Sequence, residues 1–160
     1  MAIYMQYEGV EGNVTEAGHE GWTELTGFQW GVGRGISSSV GSTADRESSA
    51  PSVGEVIVTK NNDMSTGDLM SEALSGHGDK VIKIDFTRTY KDQQQVYLSL
   101  ELQQAIISSY SHSSSGDRPH ESLAFNFNHV TVKTYQMNAD GSQGGQKVIT
   151  YDLATAKANT

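Results

Sequence analysis

The sequence of 160 residues contains no cysteine, which excludes disulfide bridges and thiolate metal sites. It has only two prolines, Pro51 and Pro119, so nearly every backbone N–H group is available for a sheet ladder. No stretch approaches the ~18 consecutive apolar residues that a membrane-spanning helix requires. These absences indicate a chain that folds without covalent bridges and does not insert into a membrane.

Basic residues are also scarce, with 11 Lys and Arg against 19 Asp and Glu and a net charge of −8. They are scattered along the chain. Phosphate contacts need clustered Lys and Arg, so we expect no nucleic-acid partner. The first twelve residues lack the basic region and apolar run of a secretory signal peptide. Taken alone, this composition predicts a cytoplasmic protein.

The strongest pattern present is the alternation of apolar and polar residues, which is typical of half-buried strands. Ile82, Ile84 and Phe86 alternate with charged or polar residues, and the same period continues in residues 96–102. Seven to nine such segments in a chain of this length predict one mainly β domain over residues 1–160, built as a sandwich or a barrel. Residues 154–160 are expected to form a flexible tail.

One segment, about residues 65–75, has the spacing of a short helix with a single apolar stripe that includes Leu69. Ser65 is the expected N-cap, with Asp68 at the third helical position as a variant capping box. Gly76 is the expected left-handed stop. The segment therefore predicts one short α-helix that packs on the strands through one face.

The apolar phase changes once inside a strand-like run. Leu123, Phe125 and Phe127 share one phase, whereas Val130 and Val132 take the other. Because a one-residue slip moves every side chain to the opposite face of a sheet, this change predicts a β-bulge near residues 128–129.

Residues 37–52, SSSVGSTADRESSAPS, have no apolar pattern at all. Apart from glycine, only Val40, Ala44, Ala50 and Pro51 lack a polar side chain. Ordering a backbone costs ~1–2 kcal/mol per residue, which these four side chains cannot offset by burial in their own domain. We therefore expect a long extended loop that becomes ordered when a neighbouring chain supplies contacts.

Residues capable of catalysis or metal binding form no recognised signature. His112 and His120 lie near Asp117 and Glu121, and a metal held there is the alternative to the plain polar loop that we favour. No serine lies in a G-x-S-x-G turn, and the geometry of a hydrolytic triad is not visible in spacing. We expect no catalytic residues, cofactor or metal, and keep a hydrolase on a β scaffold as a distant alternative.

Two tryptophans suggest another functional class, a carbohydrate- or ligand-binding β-sandwich module in which indole rings stack on a sugar. Trp30 alternates with Phe28 and Val32, which indicates a core position, whereas the position of Trp22 is less settled. The residues alone therefore favour a binding or structural role and do not decide between these two.

Several short motifs, spread over the chain from Ile3 to Leu153, carry a resemblance to a known family. They are F-Q-W-G at residues 28–31, V-T-K at 58–60, D-M-S-T-G-D-L at 63–69, E-S-L-A-F-N-F at 121–127 and Y-D-L at 151–153. Together they resemble the haemolysin co-regulated proteins (Hcp), the tube subunits of the bacterial type VI secretion system. The most telling residues are Phe28, Trp30, Gly31, Thr59, Lys60, Asp63, Ser65, Thr66, Leu69 and the run 121–127.

The resemblance implies a β-barrel of two packed antiparallel sheets with a helix on one side. It implies six-membered rings of identical subunits that stack into a hollow tube carrying small effector proteins in its lumen. A contractile sheath propels such a tube, and a spike protein tips it. The resemblance also implies that the protein waits in the bacterial cytoplasm and is then secreted, to the outside or into a target cell, without a signal peptide.

Two groups of residues are the candidate sites for this function. The candidate inter-subunit loop contains three adjacent charges where other family members often have glycine, and its candidate residues are Ser42, Thr43, Asp45, Arg46, Glu47, Ser48 and Pro51. Polar strand positions that alternate with apolar ones are candidates for lining the lumen, or equally for an ordinary solvated face. These are Ser99, Glu101, Gln103 and Ser109.

Overall fold

The computed structural model describes residues 1–38, 40–41, 46–48 and 50–160, and for residues 38 and 46–48 it describes the backbone. These residues form one helix and fourteen strands, several of only two or three residues. In chain order the elements are β1 (Ala2–Tyr7), β2 (Thr23–Leu25), β3 (Gly27–Gln29), β4 (Val32–Gly33), β5 (Ile36–Ser38), β6 (Arg46–Ser48), β7 (Ser52–Val53), β8 (Val56–Asn61), α1 (Thr66–Ser75), β9 (Lys80–Tyr90), β10 (Gln93–Ser113), β11 (His120–Asn126), β12 (His129–Met137), β13 (Gln143–Asp152) and β14 (Lys157–Asn159).

The main strands form two antiparallel sheets that share the long strand β10. Sheet A runs β2–β1–β9–β10–β12–β13–β14, and sheet B runs β10–β11–β8–β3. The first half of β10 pairs with β9 and β12, and its second half pairs with β11. The register shifts between Leu102 and Ala105, where Gln104 has a positive φ of 51°, and β10 changes sheets there. The expected mainly β fold with two sheets and one helix is confirmed.

The chain also passes between the two sheets through α1, which connects β8 of sheet B to β9 of sheet A, and at two short corners. Thr26 separates β2 in sheet A from β3 in sheet B, and its N–H donates to the Thr59 carbonyl at 2.8 Å. The second point is residues 127–128, where β11 of sheet B ends and β12 of sheet A follows. The predicted bulge was therefore wrong, because the phase change marks a corner between sheets. Along the described strands, β2 and β3 do not pair, and the sheet is not closed as a barrel.

The core lies between the two sheets and contains the apolar positions of the alternating segments. Its fully buried side chains include Met5, Val58, Ile84, Leu102 and Phe125, and the helix joins this core through Leu69. Alternation in the sequence thus identified the core faces of the long strands.

The helix has the expected bounds, but its caps differ from the expectation. The Ser65 side chain does not bond to the helix; its hydroxyl donates to Asp63 Oδ1 at 2.5 Å. Gly76 has an extended backbone, with φ −69° and ψ 158°, instead of a left-handed one. Glycine fits there because a Cβ would lie 2.4 Å from the Glu72 carbonyl oxygen. Both cap predictions were therefore wrong in mechanism.

The C-terminal part of the chain completes one edge of sheet A. Strand β14 lies inside the segment expected to form a tail and pairs with β13. Within the described ranges, no helix is both long and apolar enough to cross a membrane.

Candidate assembly surface

Residues 31–54 are here called the arm, and its described residues include two short strand pairs. Strand β4 pairs with β7 and β5 pairs with β6, so the segment predicted as a long loop is partly a ladder. At its base the Gly54 N–H donates to the Gly31 carbonyl at 2.9 Å, and Trp30 Nε1 donates to the Gly54 carbonyl at 3.0 Å. These two bonds hold the two ends of the arm together at its base.

The arm exposes apolar side chains although its sequence is mainly polar. Ile36 is 63% exposed, Val32 is more than half exposed, and Val40 is fully exposed. Exposed apolar side chains that cluster in one segment are typical of a surface that binds another protein.

An apolar groove of about 170 Å³ lies beside the base of the arm, and all of its accessible surface is apolar. The base of the arm lines one side, and the strands at the β14 edge of sheet A line the other. The lining residues are Trp30, Val32, Pro51, Val53, Val130, Val132, Ile149, Thr150, Tyr151 and Ala158. The groove and the exposed side chains of the arm are thus both apolar, and both lie on the same chain.

The predicted loop residues are distributed over this region unevenly. Pro51 lines the groove. Arg46, Glu47 and Ser48 form β6, and their backbones pair with β5. The remaining three predicted residues, Ser42, Thr43 and Asp45, lie outside the described residues.

Three of the four predicted lumen residues share one face. Ser99, Glu101 and Gln103 alternate along β10 with the buried Leu100 and Leu102, so they lie on the side of sheet A opposite the core. The Gln103 amide donates to Glu101 Oε1 at 3.1 Å. Across the sheet, this face continues in Lys83 and Asp85 of β9 and in Thr131 and Lys133 of β12.

Ser109 does not join this group. It lies beyond the register shifts of β10, in the half of the strand that belongs to sheet B, and it is paired with Ala124. It is exposed, but it is separated from the other three by the corner of the strand. The arrangement therefore offers one continuous polar face on sheet A, which has both positive and negative charges.

The motif residues around the helix form a buried polar cluster, here called the helix junction: Lys60, Asp63, Thr66, Tyr110 and Glu121. Lys60 is 0% exposed and Glu121 is 1% exposed, and their side chains form an ion pair. Asp63 lies 3.1 Å from Lys60 Nζ, the Thr66 hydroxyl donates to Glu121 Oε2 at 2.9 Å, and the Tyr110 hydroxyl donates to Glu121 Oε1 at 2.5 Å. Burial, and then this bond to Glu121, raise the pKa of Tyr110.

The helix junction joins the start of α1 to three strands of sheet B. Both oxygens of Glu121 are bonded and Lys60 has several partners, so neither charge is buried alone. The sequence contains a signal for the helix junction. Lys60 follows Val56 and Val58 at a spacing of two residues, so its side chain lies on the buried face of β8. The resemblance selected these residues, but it did not reveal that they bond to one another.

The residues considered for metal or sugar binding have other partners. Glu121 belongs to the helix junction, and in the described part of the chain no group of three His, Asp or Glu residues is arranged to hold a metal. Trp22 packs edge-on against His19, with ring centroids 4.7 Å apart, and Trp30 bonds to the base of the arm. Trp22 is thus engaged within the domain, and Trp30 lines the apolar groove.

These features define a class of protein: a mainly β domain with a buried polar cluster beside its helix, exposed apolar side chains on its arm and an apolar groove. A family model described as "Type VI secretion system effector, Hcp" matches residues 4–134. The chain belongs to the Hcp family, a family of structural tube proteins of type VI secretion, and that family implies secretion.

Several solved structures share the fold of this chain. A type VI secretion system protein aligns with a TM-score of 0.90 at 24% identity, over 99% of each chain. Hcp1 from Salmonella typhimurium gives 0.74 at 19% identity, over 99% of this chain and 98% of that one. A type VI secretion system effector from Yersinia pestis gives 0.72 at 18% identity, over 94% and 98%. None of the curated proteins matches the chain.

Proposed function

We propose that the chain is a structural subunit of a type VI secretion tube and assembles into hexameric rings that stack. Family membership supports the general role. The observation that carries the assembly is the pairing, on one chain, of exposed apolar arm residues with an apolar groove. Two different surfaces that fit each other can repeat head to tail, and such a contact closes into a ring or continues along a stack.

The arm of one copy docks on the groove of the next in this proposal. Val32, Ile36 and Val40 are the side chains that the contact removes from water. Burying a side chain of this kind contributes about 1.5–3 kcal/mol. Because this gain comes from a neighbour, it offsets part of the cost of ordering the polar segment between residues 37 and 52.

Open sheet edges support the same assembly. Strand β14 pairs with β13 and β3 pairs with β8, and each ends its sheet in the described hydrogen bonding. Unpaired N–H and C=O groups at such edges favour the addition of another strand. A ring in which each copy covers its neighbour's edge satisfies these groups.

The polar face of sheet A lines the lumen in this account, with Ser99, Glu101 and Gln103 among its residues. It mixes hydroxyl, amide and both signs of charge, which suits a hydrated channel. Small effector proteins are carried there, and the tube is exported with its spike by the contractile sheath. The subunit waits in the cytoplasm and leaves the cell with the tube.

The test is the mass of the purified chain by size-exclusion chromatography with light scattering, with negative-stain microscopy of the same fraction. The expected result is about six times the 17.3 kDa of one chain, and ring-shaped particles. A monomer that binds glycans on an array would contradict the proposal and support the carbohydrate-binding alternative.

A further inference from the structure

Residues 8–22 connect β1 to β2. The first of them are fixed by bonds between Glu8 and Val81 and by packing of Val10 on the core. Residues 12–22, here called the strap, are attached by the bond from Met64 N–H to Asn13 Oδ1 and by one buried histidine that bonds to sheet A.

His19 is only 6% exposed. Its ring lies between Tyr4 of β1, at a centroid distance of 4.9 Å, and Trp22 of the strap. Backbone bonds stabilise the strap itself, from Gly12 N–H to the Gly21 carbonyl and from Val14 N–H to the Trp22 carbonyl.

Both ring nitrogens of His19 face carboxylates. Nδ1 lies 2.5 Å from Glu16 Oε2, and Nε2 lies 2.9 Å from Asp85 Oδ2 of β9. A neutral imidazole has one N–H and one lone pair, so it would present a lone pair to one of the two carboxylates. A cationic ring has two N–H groups and donates to both. We propose that His19 is a proton-dependent latch, which holds the strap on sheet A only while both ring nitrogens carry a proton.

The groups that face the latch are mainly acidic. Glu16 faces the ring from the strap and Asp85 from β9, and the ion pairs of the described residues bring no Lys or Arg to either carboxylate. The Tyr4 phenol faces it from β1; burial, Glu16 and then Glu24 of β2 raise the pKa of that phenol, so it stays neutral. The second oxygen of Asp85 accepts a bond from the Ser99 hydroxyl at 2.7 Å.

Loss of one proton therefore removes one of the two bonds of the latch and weakens the attachment of the strap to the sheet. Opening the strap uncovers Tyr4 and Asp85, and Asp85 lies on the polar face that contains Ser99. Because one proton is linked to closing, the ratio of closed to open strap changes at most tenfold per pH unit, and it falls as the pH rises. The inference depends on the latch geometry and not on the proposed tube.

The first test uses the unaltered chain. Nitrogen-15 NMR of the ring at about pH 6 should show two similar nitrogen shifts, the pattern of a cationic imidazole. The backbone amides of Gly12, Val14 and Gly21 should lose more than tenfold of their protection from hydrogen exchange between about pH 6 and pH 9, after correction for intrinsic rates. Neutral-ring nitrogen shifts at pH 6, or strap protection that does not change over this range, overturns the proposal.

The second test replaces the titrating side chain of His19 with one that does not bind a proton. His19→Gln should give strap exchange that no longer depends on pH, while His77→Gln, at an exposed position, should retain the pH dependence of the unaltered chain. If His19→Gln fails to fold, the measurement on the unaltered chain still decides. An unchanged pH dependence in His19→Gln, or its equal loss in His77→Gln, contradicts the latch.

Discussion

The helix junction and the arm differ in where their side chains find partners. In the helix junction, Lys60 and Glu121 are fully buried charges whose partners all lie in the same chain. In the arm, Ile36 and Val40 are apolar and exposed to solvent. The first region is satisfied within the chain, and the proposed assembly supplies partners for the second. Changes in the helix junction should therefore act on folding, whereas changes in the arm should act on assembly.

The largest expected effect on stability comes from breaking the helix junction with Lys60→Met. Removing one partner of a buried ion pair leaves the other charge uncompensated, which costs about 3–5 kcal/mol. The free energy of unfolding from urea titration, at a fixed protein concentration, measures this loss.

The matched control is Lys83→Met, on the exposed face of β9, which should change stability by less than about 0.5 kcal/mol. Adding Glu121→Leu to Lys60→Met should recover part of the loss, because no lone charge then remains buried. A loss below about 1 kcal/mol for Lys60→Met would mean that the helix junction does not hold α1 to sheet B.

The next effect is on assembly, through Ile36→Asp in the arm. A charge in place of an apolar contact of about 1.5–3 kcal/mol should weaken each inter-subunit contact about 10- to 100-fold. Light scattering over a dilution series measures the weakening, and the urea midpoint should stay unchanged.

Leu74→Asp is the comparison variant for this experiment, since Leu74 is an apolar helix residue that is 83% exposed. It should leave the assembled mass as it is. If both variants dissociate equally, the arm has no special role and general surface hydrophobicity drives association.

The smallest expected effect on structure comes from single cysteines, which are unique labels in a chain without cysteine. Glu101→Cys should preserve assembly and react with a small maleimide. In assembled tubes it should resist a maleimide carried on a large polymer, because a narrow lumen excludes the polymer.

Ser109→Cys on sheet B supplies the second position for this labelling. If the two cysteines differ in their reaction with the polymer-linked maleimide, the sheet A face and Ser109 lie in different surroundings in the tube. Free reaction of Glu101→Cys with the polymer reagent in intact tubes would remove the sheet A face from the lumen.

Much of the fold could be predicted from the sequence because alternation reports which face of a strand is buried. Ile82 and Ile84 in β9 followed this rule, and so did Leu100 and Leu102 in β10. The phase change after Phe127 was detected but misread, because alternation shows that a face changes and not whether the strand bulges or changes sheets. Strand pairing decided that question.

The candidate sites were less predictable because they depend on residues far apart in sequence. Lys60 and Glu121 are 61 positions apart, and His19 and Asp85 are 66 positions apart. Sheet register brings the first pair together, and the folding of the strap over sheet A brings the second together. The exposed Ile36 also escaped notice, because it lies just before the segment that composition marked as a loop.

Deletion of residues 40–49 tests the central claim, that the domain is complete alone and the arm makes it an assembly subunit. Light scattering and urea unfolding of the shortened chain, beside the full-length chain, give both answers from one preparation. The account predicts a folded monomer of lower mass than the ring, with an unchanged far-UV spectrum. Rings and stacks that persist unchanged after the deletion, or a shortened chain that fails to fold, would contradict it.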